Sequence, residues 1–344
     1  MGGPIPLYLV LLTDPPELPV GTTHLYLTYS SVSINVTSSG GLNQTFLASV
    51  EGTVDLTSLT NLTQTIASIA VPSGWHVTGV TLTIAGLHIF VNGTQYGVTP
   101  ISSSVPIPVS QSTPINSSIA GSILDFSPAV EEVQVVNATN GQLNQAFVFT
   151  PGGIALGEPS LNATQATVGT VSNLTAKDSG RLYKLGKLYS RDLLVTSSQL
   201  FATGNKTTFS VTMLNNGSVT LPIYGISLKG QFNQTAVHYE CSKNGKVCHE
   251  TTHSRYRNST IPFWINGTSL QPVLGSLQPG GGGPGSVYFL GPNKTVTFSF
   301  TGFIQALRQT HRGYNHIVLI PVTGDNYRLT VVGIGHARFH VRAT

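Results

Sequence analysis

Apolar and polar residues alternate with a period of two along most of this chain, which predicts strands. The clearest runs are His24 to Val36 and His76 to Val91, both rich in β-branched and aromatic residues. Val54-Asp55-Leu56 lies between them within a Thr/Ser/Asn-rich connection. Further strand patterns cover Ile123 to Val136, Ala146 to Leu156, the run LLVTSSQLF after Asp192, Thr207 to Gly230, Leu290 to Gly302, His316 to Val322 and Tyr327 to Val341. Residues 101–118 are rich in proline and serine and read as an edge strand or a loop. No stretch shows helical periodicity with caps. Ile5 to Leu12, IPLYLVLL, breaks the alternation, being apolar throughout except for its proline and tyrosine. It is either the first core strand of its own domain or a strand lent to a neighbouring copy through Ile5, Leu7, Leu9 and Leu11.

The predicted fold class is therefore all-β, with two immunoglobulin-like β-sandwich domains in tandem. A chain of 344 residues exceeds the usual single-domain size. The expected domains are 1–158 and 159–344, with the boundary in 157–176. Charge sharpens this division. Residues 1–176 hold eight acids and no Lys or Arg, a net −8. Residues 177–344 hold all 17 basic residues and five acids, a net +12, and the two halves together give the chain's +4. Such asymmetry bears on association. Head-to-tail self-association explains it with the fewest partners, because the same chain supplies both signs.

Only 9% of residues are charged, against ~25% in typical domains. Few carboxylates means few groups whose protonation destabilises the fold, which is consistent with an acidic, hot habitat. No run reaches the ~18 apolar residues of a membrane span. The N-terminus makes a poor signal peptide, lacking a basic region and carrying Pro4 and Pro6.

Asparagine positions point outside the cell. Of 20 asparagines, 14 head an Asn-x-Ser/Thr sequon: Asn35, Asn43, Asn61, Asn92, Asn116, Asn137, Asn162, Asn173, Asn205, Asn216, Asn233, Asn258, Asn266 and Asn293. Serine and threonine make up roughly a quarter of the chain, so about five are expected by chance; N-linked glycans on an extracellular surface explain the excess. The only cysteines, Cys241 and Cys248, flank Asn244-Gly245, a strong type I′ hairpin signal. Counting outward from that turn sets Cys241 opposite Cys248, so a cross-strand disulfide is expected in an oxidising compartment.

Leu9 to Thr13 followed by Asp14-Pro15-Pro16, then His24 to Thr28, Val32 to Val36, Leu124-Asp125-Phe126 and Phe147 to Pro151 resemble a family of secreted archaeal domains of unknown function. Those domains open on a strand ending in Thr-Asp-Ala-Pro; here Pro15 replaces the alanine, and the lysine expected before the last proline is absent. Thr207 to Gly230 with Leu290 to Gly302 resembles the immunoglobulin-like modules of archaeal surface proteins. The Cys hairpin and a Gly/Pro loop at Pro279 to Gly285 lie between these two passages. The overall character is similar to archaeal thread-like filament subunits, which are β-rich, glycosylated and joined by donor strands. These resemblances imply exported β-sandwiches, with no established activity.

Candidate chemistry is sparse. His249-Glu250-Thr251-Thr252-His253 fits the HExxH zinc-protease pattern, which needs a helix to set both histidines on one face. Its threonines and its place after a hairpin cysteine argue for a strand, and no glutamate follows Glu250. His249 and His253 are thus weak metal candidates, with His311 or His316 as conceivable third ligands. No catalytic residue and no cofactor is expected. The basic cluster Lys177, Arg181, Lys184, Lys187 and Arg191 lacks a nucleic-acid-binding pattern. The sequence thus favours a non-enzymatic, N-glycosylated, pilus-like homopolymer subunit at the archaeal cell surface, assembled by β-strand donation; the C-terminal strand, Tyr327 to Thr344, is a second possible donor. The alternatives are a monomeric or S-layer-associated adhesion module binding glycans or ligands and, more remotely, a zinc hydrolase.

Overall fold

A computed structural model describes residues 5–13, 17–110, 112, 114–136, 143–161, 167–241, 248–273, 286–310 and 313–344. Strand accounts for 66% and helix for 7%, so the chain is all-β, with its sheets packed in two β-sandwich-like sets.

The first set comprises β1 (Leu7–Thr13), β2 (Thr22–Thr37), β3 (Asn43–Ala48), β4 (Gly52–Asp55), β5 (Leu62–Ala70), β6 (His76–Val91), β7 (Thr94–Pro100), β8 (Ser104–Ser110), β9 (Ile119–Asp125), β10 (Ala129–Val136), β11 (Leu143–Thr150), β12 (Ile154–Glu158) and β13 (Val171–Asn173). Its strand order is β10-β11-β7-β6-β8-β12-β9-β1-β5-β13, with β2 paired to β6, and β3 and β4 paired to β2. Helix α1 (Ala176–Asp192) follows. The second set comprises β14 (Leu193–Thr203), β15 (Lys206–Asn215), β16 (Leu221–Ile223), β17 (Gly225–Cys241), β18 (Cys248–Asn266), β19 (Ser269–Pro272), β20 (Tyr288–Leu290), β21 (Thr295–Gly302), β22 (Gln305–Thr310), β23 (Gly313–Pro321), β24 (Asn326–Val332) and β25 (His336–Arg342). Its order is β14-β15-β21-β19-β18-β17-β23-β22, with β24 also on β17, β25 on β24, and β16 paired separately with β20.

The continuous apolar run of β1 has a direct physical cause. The strand lies between β5, antiparallel, and β9, parallel, in its own chain. Tyr8, Val10 and Leu12 face the first core, while Leu9 and Leu11 are fully buried on the opposite face. A strand covered on both faces has no solvent side to mark with polar residues. Each fully buried aliphatic side chain here contributes about 1.5–3 kcal/mol. Of the four residues expected to join a neighbouring copy, Leu9 and Leu11 are thus in their own core; Ile5 and Leu7 stay 67% and 40% exposed.

Three further features refine the sequence reading. Within the expected boundary region 157–176, β13 still pairs with β5 of the first sheet. β8 is an edge strand only in part: it pairs with β6 through Ser104 to Pro108 and, beyond them, with β12 through Val109 and Ser110. Its prolines, Pro106 and Pro108, lie where β6 alone flanks it, so their missing N–H groups break no second ladder. The third is α1. Thr175 caps it, its hydroxyl accepting from the Asp178 amide at 3.2 Å and donating to the Asp178 carboxylate. Leu182, Leu185 and Tyr189 supply its buried face. Gly180 and Gly186, each costing a helix interior roughly 1 kcal/mol, and five basic residues dilute that pattern in the sequence.

The cores interlock. Ile123, Ile154 and Leu156 of β9 and β12 are buried in the second core beside α1 and β14–β25. Tyr224, between β16 and β17, is buried in the first.

Candidate functional site

Polar and charged side chains of the two sets meet along the seam between them. Tyr224 is 3% exposed, and its hydroxyl lies 3.0 Å from the Pro106 carbonyl oxygen and 2.9 Å from that of Gly153. Burial pushes its phenol well above the ordinary tyrosine range. Glu17 bonds the Nδ1 of His336 and pairs with Arg338, both on β25. The Nε2 of the same imidazole lies 3.1 Å from the Ser127 carbonyl oxygen, so each ring nitrogen faces an acceptor. The hydrogen bond from His336, reinforced by the charges of His336 and Arg338, holds the Glu17 carboxyl down at about 2.

Nearby, Ser227 on β17 donates to Glu131 on β10 at 2.5 Å. Burial raises the Glu131 carboxyl, and the Ser227 bond and Arg328 oppose that rise. Arg181 of α1 pairs with Glu158 at the end of β12. Three of the eight acids in the first half thus meet basic or hydroxyl groups of the second within one chain. The charge asymmetry is partly neutralised internally, which weakens it as a reason to expect a charged partner.

A cleft of about 560 Å³ opens beside this seam. Ser179, Tyr183, Lys187 and Ser190 of α1 line one side; Thr13, Asn61, Asp125 and Ser127 line the other, with Ile334 and Gly335 completing it. Lys187 places its ammonium 4.7 Å from the centre of the Tyr183 ring, a cation–π contact. Asp125 is 7% exposed.

The sequence's metal candidates are not brought together. His249 and His253 lie on β18, paired across to Glu240 and Ala236 of β17. Residues four apart on a strand are separated by about 13 Å, too far to share one zinc. His253 is exposed, and the side chain of His249 lies outside the described residues. Among the described residues no group of three His, Cys, Asp or Glu is placed to hold a metal. No helix among them is long and apolar enough to cross a membrane. The register places Cys241 opposite Cys248, as counting from Asn244-Gly245 predicts. The turn itself, 242–247, and the Gly/Pro loop Pro279 to Gly285 lie outside the described residues, as do the side chains of both cysteines.

No protein-family model matches this chain, and no curated protein matches it.

The sequons are the most extensive surface feature. Asn137 and Asn162 lie outside the described residues. Of the other twelve, eleven are exposed and Asn233 is half-buried. Asn215, which heads no sequon, is instead 0% exposed, its amide donating to the Val219 and Leu290 carbonyl oxygens at 2.7 and 2.9 Å. Asn61, Asn92 and Asn293 hold positive φ of 57°, 50° and 55°, so turn chemistry also favours asparagine there. Sequence reasoning passed over the seam residues Glu17, Tyr224, His336 and Arg338. Glu17 and His336 are 319 positions apart, and no local pattern links them.

Proposed function

We propose that this protein is a non-enzymatic, N-glycosylated structural subunit of an extracellular archaeal surface filament, joined head to tail to copies of itself. The observation that carries the reading is the solvent position of the sequon asparagines, eleven of the twelve described being exposed. Modification at such sites encloses a sparsely charged exterior in glycan and belongs to exported proteins. A disulfide between Cys241 and Cys248 fits the same compartment.

The joining step is exchange of β1. The strand fills a slot between β5 and β9 with main-chain hydrogen bonds on both sides. Main-chain bonds are indifferent to which copy supplies the strand, and exchange of an identical element is a low-cost route to assembly. Repetition without closure makes a fibre. The placement of β1 in its own chain is then the closed form of the same contact.

The test pairs cysteines across that slot. Leu7 lies opposite Ala70. Under oxidation, Leu7→Cys/Ala70→Cys joins β1 to β5 within one chain or between chains. Exchange gives a ladder of covalent multimers on a non-reducing gel, collapsing on reduction. A monomer band alone, with the added cysteines fully oxidised, overturns exchange.

A further inference from the structure

The cleft beside the seam has a chemically mixed lining. It combines an aromatic face, an amide, a carboxylate, an ammonium and several hydroxyls in about 560 Å³, within the size range of small-molecule sites. A buried carboxylate disfavours an anion, and Lys187 disfavours a cation. What suits both is a neutral, polyhydroxylated ligand. Hydroxyl groups donate to Asp125 and accept from Lys187, and the apolar face of a sugar ring packs on Tyr183, which is 63% exposed.

One lining residue is itself a sequon asparagine. Asn61 is exposed, and its carbonyl accepts from the Leu174 amide at 3.2 Å, so it sits where β13 passes into the α1 cap. We propose that the cleft is a carbohydrate subsite filled by the chain's own glycan, attached at Asn61 and seated against Tyr183. The inference rests on the glycosylation reading above. Attachment transfers a saccharide from a phosphate-linked carrier. The Asn61 amide nitrogen bonds the anomeric carbon as that carbon's bond to the carrier phosphate breaks; the phosphate leaves with the bonding electron pair and takes up the proton the amide loses. Thr63, the sequon's hydroxyl, is 1% exposed and bonds Ser172 of β13, so transfer precedes the docking of β13 on β5. The seated glycan then bridges α1 to the first sheet.

The experiment uses the full chain purified from its native host. Glycopeptide mapping first reads occupancy at each sequon. The folded protein is then treated with an amide-cleaving glycosidase, and release is timed at Asn61 against Asn293, another sequon with positive φ. The seated glycan is released at least tenfold more slowly at Asn61, and Tyr183→Ala abolishes that difference while circular dichroism stays unchanged. Equal release rates overturn the inference, as does an unoccupied Asn61 on a chain glycosylated elsewhere. A chain with no occupied sequon overturns the glycosylation reading itself. Asn61→Gly keeps the backbone conformation and removes the attachment. If added free oligosaccharide then raises the melting temperature of this variant only, the cleft's preference for carbohydrate stands; if none does at millimolar concentration, it falls.

Discussion

Glu17→Gln isolates the charge cluster at the seam. The wild-type carboxyl is held at about 2 against an ordinary 4.5, first by the His336 hydrogen bond. For an enclosed group that difference would correspond to about 3.4 kcal/mol by linkage. Glu17 is 40% exposed, and solvent screening reduces the expected contribution to about 1 kcal/mol. The sign follows from the depressed value: the stabilisation is fully present above pH 4.5 and is lost as pH falls from 4.5 to 2. Urea unfolding followed by the fluorescence of Trp75, packed against the first core just before β6, and Trp264 on β18 measures it. Glu17→Gln is expected to be less stable than wild type by about 1 kcal/mol at pH 7, and the gap is expected to close by pH 2. A gap that is absent at pH 7, or that persists unchanged at pH 2, refutes the reasoning. In an acidic habitat this ion pair would survive where ordinary carboxylates are protonated.

Two other substitutions test the packing. Tyr224→Phe removes a buried hydroxyl from two carbonyl oxygens and should lower stability by about 1–2 kcal/mol, read as a lower denaturant midpoint; an unchanged midpoint would show that the seam does not depend on it. Gly333→Ala should cost about 1–3 kcal/mol, because its Cβ would meet the Tyr189 ring at 2.4 Å and the Pro222 carbonyl oxygen at 2.5 Å; calorimetry showing no fall in melting temperature would contradict that contact.

Local signals carried much of the fold. The alternation of β2 and β6 placed both strands within two residues of their observed ends, and the Asn-Gly turn carried the register of the cysteine hairpin. The apolar run of β1 was legible as a strand buried in its own domain or in a neighbouring copy, but its partner strands were not. β9 pairs with it in parallel from more than 100 positions away, and nothing in either strand names the other. Helix α1 was missed although Thr175, Asp178 and the spacing of Leu182, Leu185 and Tyr189 were present, because two glycines and five scattered basic residues masked a face only three residues wide. The cleft needed that helix, so its lining was invisible too. The seam pairs acids and bases from opposite halves; composition showed the charge separation but pointed outward to another copy, whereas part of it closes within the chain.

Electron microscopy of the protein purified from its native host, concentrated at acidic and at neutral pH, tests the central claim most directly. Unbranched fibres built from this chain alone are expected, and the oxidised Leu7→Cys/Ala70→Cys variant should hold them together in denaturant until it is reduced. Isolated particles alone at the highest concentration reached would contradict the filament account.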